Sequence, residues 1–188
     1  MSHSAALLVV VMGVSGSGKT TVGQLLAQDL GVPYAEGDDF HPAANVERMR
    51  ADHPLDDEDR RLWLDEIARW LAGHVDSGGV VACSALKRRY RDRLVSAAPH
   101  VFFLHLDGSA ELIAARLTAR QGHFMPPELL RTQFADMEPL GDDETGAAIP
   151  IDGTPQETAA LARAAITSAR ATRIAARRRC ELAERGEA

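Results

Sequence analysis

A chain of 188 residues with 45% hydrophobic content is enough for one ordinary globular domain with a sizeable core. Its formal net charge of −6 speaks against a polyanion such as nucleic acid as main partner, though small anions can still bind a local positive site. Two cysteines, Cys83 and Cys180, are too few for a disulfide framework, and no stretch approaches the ~18 apolar residues of a membrane span, so a soluble cytoplasmic protein is expected.

Short apolar runs alternate with helical patterns. Residues 7–12, "LLVVVM", are continuous in Leu and Val, as in a strand buried on both faces. Residues 20–30 place Val22, Leu25, Leu26 and Leu30 at helical spacing, with Gly31 as the stop. "VPYAE" predicts a second, weaker strand. Residues 56–77 begin acidic and carry Leu62, Leu64, Ile67, Trp70 and Leu71, which predicts a long amphipathic helix. "GGVVACSA", "HVFFLHL" and "AAIPI" supply three more strands, Pro150 marking the last as an edge or a strand end. Helices fill the gaps, including residues 109–120 and 158–171. The alternation predicts an α/β fold, a doubly wound, five-stranded parallel sheet covered by helices on both faces. A single domain is expected over residues 1–171, with an excursion near 120–138 and an Arg/Ala-rich tail over 172–188, read as a helix fraying into solvent.

"GVSGSGKT" satisfies G-x-x-x-x-G-K-[ST] at every fixed position. Its glycines let backbone N–H groups converge on phosphate oxygens, and the following helix aims its free N–H groups at the same anion. Gly13, Val14, Ser15, Gly16, Ser17, Gly18, Lys19, Thr20 and Thr21 are therefore expected to bind a nucleoside triphosphate. Lys19 reaches the β- and γ-phosphates and the Thr20 hydroxyl ligates Mg²⁺. No N-K-x-D segment exists to read guanine, and the third strand ends in "CSALK" without a carboxylate. A GTPase switch and a motor-type ATPase both fit worse than a small-molecule or nucleotide kinase.

Phosphoryl transfer to an alcohol wants a carboxylate that takes the hydroxyl proton, with acids near the metal. "YAEGDDFHP" follows the second strand and offers Asp38 for the first task, Glu36 for the metal and Asp39 as understudy. His41 either bonds substrate or caps the next helix. "CSALKRRYRDRL" sets Lys87 and Arg88 where they could hold an anionic substrate, whereas Arg91 reads as part of a solvated helix face. The excursion "RQGHFMPPELL" is a candidate lid with Arg116, Arg120 and His123, in which Arg116 is expected at ATP and a closing Arg120 would meet the transferring phosphoryl group.

Taken together, "MGVSGSGKTT", "GDDFHP", "NVERM", "PLDDEDRRLWL", "CSALKRRYRDRL" and "RQGHFMPPELLRTQFADMEPL" resemble the gluconokinase family of phosphate-loop kinases. The resemblance implies ATP- and Mg²⁺-dependent phosphorylation of the D-gluconate 6-hydroxyl, giving 6-phosphogluconate for the pentose phosphate or Entner–Doudoroff routes. It also implies a nucleoside monophosphate kinase-like fold and a homodimer. It assigns Asp38 to the substrate hydroxyl, Lys87 and Arg88 to the sugar acid, and His123 and Gln133 to the lid and the helix after it. The family's usual glycine in M-x-x-G-x-P-L is Asp52 here. Two alternatives stay open: shikimate or another polyol acid as substrate, and a regulator that binds nucleotide without chemistry.

Overall fold

The computed structural model describes residues 6–51, 53, 55–119 and 127–184. In chain order its elements are β1 (Leu8–Met12), α1 (Lys19–Leu30), β2 (Tyr34–Glu36), α2 (Ala43–Arg50), α3 (Asp57–Gly73), β3 (Gly79–Ala82), α4 (Arg88–Ala97), β4 (Phe102–Asp107), α5 (Ala110–Ala119), α6 (Pro127–Asp136), β5 (Gly146–Pro150) and α7 (Pro155–Glu184). A 3-10 turn, Gly37–Phe40, follows β2 directly. All strand pairs are parallel, in the order β2-β3-β1-β4-β5. The α/β class and the five-stranded sheet are as expected. β1 is central, with β3 on one side and β4 on the other, so the winding reverses there. In such sheets ligands bind beyond the carboxyl ends of the strands at that reversal.

The continuous apolar run of β1 is needed because both faces are covered. Val9 and Val11 pack with Val22 and Leu26 of α1, Ile113 of α5 and Ala162 and Ile166 of α7. Leu8, Val10 and Met12 face the opposite layer, with Trp63, Leu64, Ile67 and Leu71 of α3 and Tyr90 and Leu94 of α4. Full burial of a leucine such as Leu26 stabilises the fold by about 1.5–3 kcal/mol relative to leaving it in water.

Local chemistry sets the element ends. α1 stops at Gly31, which takes a φ of +66° and returns its N–H to the last turn. Asp56 opens α3 with a capping box: it accepts from Asp59 N at 2.9 Å while Asp59 accepts from Asp56 N at 3.1 Å. This helix ends at Gly73, short of the expected residue 77. Its apolar face also differs from expectation: Leu62 is exposed and Trp63 is buried. The reason is the indole, whose Nε1 donates to Gly37 O at 2.6 Å while its rings fill the core. β5 is an edge strand and Pro150 is its last residue, which suits a residue without an N–H. α7 continues through position 172 to Glu184, with residues 171–176 exposed on it. Among the described residues, no helix is long and apolar enough to cross a membrane.

Candidate active site

β1 delivers the chain to the glycine loop at the carboxyl edge of the sheet. Gly16 takes a φ of +83° and Gly18 one of +97°, values that L side chains rarely adopt. A Cβ at Gly16 would also stand 2.8 Å from Leu117 Cγ of α5, so glycine serves both the turn and the close packing above it. Gly18 is the N-cap of α1 and offers no side-chain cap, which leaves first-turn N–H groups for a ligand. Val14 and Ser17 are buried, and Ser17 Oγ has no hydrogen-bond partner among the described residues. Thr20 and Thr21 are exposed.

Lys19 Nζ donates to Val14 O at 3.0 Å, within its own loop. Desolvation of the ammonium lowers its pKa, while the charges of Asp38 and Glu36 act the other way. The loop lysine thus lies beside Glu36, the last residue of β2, and Asp38 in the turn after it. Tyr34 lies between the two expected metal residues: its hydroxyl donates to Glu36 Oε2 at 2.7 Å, and the Thr20 side chain approaches it from α1. Burial, then Glu36, pushes the Tyr34 pKa up, so the phenol stays protonated as donor. Thr20 and Glu36 therefore form a pair of hard oxygen donors suited to Mg²⁺. Among the described residues no group of three His, Cys, Asp or Glu side chains could hold a metal unaided.

The acidic turn is placed by a close approach. A Cβ at Gly37 would lie 2.1 Å from Ala82 O of β3, so only glycine lets the chain turn there. Asp38 and Asp39 follow, both exposed at the sheet edge. His41 stacks on Trp63 with ring centroids 4.7 Å apart. It does not cap α2, whose N-cap is Pro42 without a side-chain bond. Burial lowers the His41 pKa, Arg60 adds to the effect and Asp38 opposes it. His41 Nδ1 is buried with no partner among the described residues, a polar atom poised for a ligand.

The basic segment splits in three. Lys87, the N-cap of α4, places Nζ 3.1 Å from Asp136 Oδ1, and Arg60 Nη1 lies 3.8 Å from Asp136 Oδ2. Arg60 also donates to the Tyr90 hydroxyl at 3.2 Å. Arg88, expected to hold substrate, instead spends its guanidinium on Asp92 at 2.8 Å, Asp143 at 2.7 Å and Glu144 at 3.5 Å. Arg91, expected on a solvated face, is fully buried. It makes a bidentate pair with Glu144 at 2.6 and 2.8 Å and donates to the carbonyls of Leu86, Glu138 and Pro139. A buried cation is satisfied here because every donor finds an oxygen. This arginine also lies within 3.4 Å of Ala85 O, beside a residue held at φ +42°. Ser84 O accepts from Gly13 N at 3.3 Å, so this strained corner sits between the buried arginine and the glycine loop.

Gln133 of α6 is not on the acceptor side of the cluster but on the glycine loop. It accepts from Ser15 N at 2.7 Å and donates to Ser15 Oγ at 3.1 Å. Arg116, expected at ATP, donates to Ile151 O and, at 3.5 Å, to Gly153 O beyond β5. Arg120, His123 and Asp52 lie outside the described residues. Sequence reasoning missed Tyr34, Arg60 and Asp136. Tyr34 is one of only two tyrosines in the chain and stands two positions before Glu36, which is a usable signal. Arg60 and Asp136 were hidden inside charged helix faces, where nothing local separates a site residue from a solvated one.

A family model for shikimate kinase matches residues 15–149. The thermosensitive gluconokinase of Escherichia coli K12 is 41% identical over 181 residues, 92% of this chain and 97% of the relative. The gluconokinase of Gluconobacter oxydans 621H is 50% identical over 138 residues, 72% of this chain and 78% of the relative. Among solved structures, a gluconokinase from Sinorhizobium meliloti 1021 superposes with a TM-score of 0.81 at 41% identity, covering 86% of this chain and 92% of that one. Shikimate kinase from Aquifex aeolicus shares the fold, with a TM-score of 0.59 at 15% identity over 86% of this chain and 97% of that one.

Proposed function

The chain belongs to the gluconokinase family of phosphate-loop kinases and phosphorylates gluconate with ATP; from that premise we propose that transfer goes to the 6-hydroxyl and that Lys19 and Asp38 carry it. The observation that supports this reading is the convergence of the loop lysine with Asp38 and Glu36 at the carboxyl ends of β1 and β2. Asp38 takes the proton of the acceptor hydroxyl as the oxygen bonds to the γ-phosphorus and the bond to the ADP oxygen breaks. Lys19 leaves Val14 O for the β- and γ-oxygens and neutralises charge that builds up during transfer. Gly13 to Thr21 hold the triphosphate. Thr20 and Glu36 would hold Mg²⁺, which neutralises phosphate charge and orients its oxygens when bound.

On the acceptor side, the unpartnered His41 Nδ1 suits a polyol hydroxyl. Lys87 and Arg60 suit a carboxylate, a role their shared carboxylate partner Asp136 already mimics. Arg116, Arg120 and His123 are proposed as lid residues and Gln133 as a residue of the closed site. Arg88 is proposed to reach the sugar acid only if its carboxylate partners release it. A homodimer and a cytoplasmic location complete the proposal; the resemblance supports the first and the low cysteine content, two in 188 residues, fits the second.

The test is a coupled ADP-release assay across D-gluconate, other aldonates and shikimate, with the phosphorylated position read by ³¹P NMR. Gluconate should give the highest kcat/KM and a 6-phosphate product. Asp38→Asn should lower kcat by ~10²–10⁴-fold with nucleotide affinity retained. Faster turnover of shikimate, or ADP release indifferent to any acceptor, would overturn the substrate assignment.

A further inference from the structure

Helix α6 touches both halves of the site at once. One turn of it presents Gln133 to the glycine loop and Asp136 to the acceptor cations, residues three apart on one helix face. Each contact puts a protein oxygen where a ligand oxygen belongs. Gln133 Oε1 takes the Ser15 N–H, one of the loop amides whose partner in this motif is phosphate. Asp136 sets its carboxylate on Lys87 Nζ at 3.1 Å, with Arg60 at 3.8 Å, the two cations best placed for an acid substrate. The helix is anchored between them by Leu130, which is buried in the core with Leu106 and Ile113.

We propose that α6 is a two-ended latch that couples nucleotide binding to acceptor binding, with Gln133 and Asp136 as its positioning residues. The proposal rests on the kinase reading above. Without ligands both ends are closed by surrogates. A triphosphate oxygen that claims the Ser15 N–H displaces Gln133, and the shift of α6 draws Asp136 away from Lys87 and Arg60. A substrate carboxylate that claims those cations acts in reverse. Each ligand thus meets a smaller opening cost once the other is bound, and linkage requires the two effects to be equal.

Calorimetry can measure this with a non-hydrolysable ATP analogue plus Mg²⁺, and with D-gluconate, each alone and in the presence of the other. The wild-type Kd of each ligand should fall by a common factor of about 5 or more when the other is saturating. Gln133→Met and Asp136→Asn keep shape and remove the surrogate oxygen or its charge. Each should bring that factor towards about 1. Asp136→Asn should also tighten analogue binding by roughly 2- to 10-fold, although it touches no loop residue. Gluconate that binds the wild type without coupling, or a factor that survives in both variants, overturns the latch. The analogue arm needs no acceptor. Unchanged analogue affinity in Asp136→Asn overturns the latch whatever gluconate does. A shifted affinity together with no gluconate binding to the wild type supports the latch and overturns the substrate assignment alone.

Discussion

Between Gly13 and Thr21 nine consecutive residues form the phosphate loop, and three of them are glycines with positive φ. The acceptor wall proposed above is assembled differently. Asp38 and His41 come from the turn after β2, Arg60 from α3, Lys87 from the start of α4 and Asp136 from the end of α6. The loop is therefore a local object whose chemistry is written in one segment. The wall is a product of packing, in which neighbouring arginines take unrelated fates according to which carboxylate the fold brings to them. Arg88 and Arg91 show this within one turn of α4, one tied to exposed acids and the other fully buried.

The largest effect is expected where packing, not chemistry, is at stake. Arg91→Met removes the bidentate partner of the buried Glu144, leaving it only Arg88 at 3.5 Å and the Gly141 N–H, and strips donors from three backbone carbonyls. Removing one member of such a pair costs about 3–5 kcal/mol, to be measured by urea unfolding. Burial works against the Glu144 carboxylate, but hydrogen bonds from Arg91 and Gly141 hold its pKa below the usual glutamate value of 4.5. A lowered pKa in the folded state means stability that is complete above about 4.5 and lost as pH falls through the folded value. The gap between wild type and Arg91→Met should therefore narrow in acid. A loss below about 1 kcal/mol at neutral pH would mean that the wall does not depend on this cation.

Next in size is the loop itself. Lys19→Ala should lower kcat by ~10²–10³-fold while the unfolding midpoint stays put, because the side chain serves phosphate and a single carbonyl, not the core. A large stability loss would blur the contrast between a chemical loop and a packed wall. Smallest is Arg88→Ala. Its acid partners Asp92 and Asp143 are 57% and 72% exposed, and the third, buried Glu144, keeps Arg91, so the lost pairs are worth about 0–1 kcal/mol, and the gluconate KM should change less than 3-fold. A tenfold rise in KM would show that the guanidinium leaves those acids for substrate.

How much could be read in advance follows the same division. The run at residues 7–12 announces β1 because a strand covered on both faces needs no polar alternation. The glycine loop announces itself because its residues are contiguous and each has a backbone reason. The acidic turn could be placed because it directly follows a strand whose end must face the loop. What stayed hidden depended on distant partners. Trp63 rather than Leu62 faces inward because Gly37 supplies a carbonyl to its indole 26 residues away. The role of Gln133 depends on Ser15, 118 positions earlier, and Ala85 gives no sign in the sequence of its left-handed backbone.

The stacking of His41 on Trp63 has an optical consequence. The chain contains only two tryptophans, and each lies against an imidazole: Trp63 on His41, and Trp70 on His74 at 4.1 Å. A protonated imidazole in contact with an indole quenches its emission by accepting an electron from the excited ring. Because burial holds the His41 pKa below 6.5, the Trp63 signal should stay bright in neutral buffer and dim only in mild acid. An acceptor hydroxyl that bonds His41 Nδ1 would change that quenching without any label. With His41 in the proposed acceptor role, the pocket would carry its own fluorophore, and its filling could be followed by light in the unmodified protein.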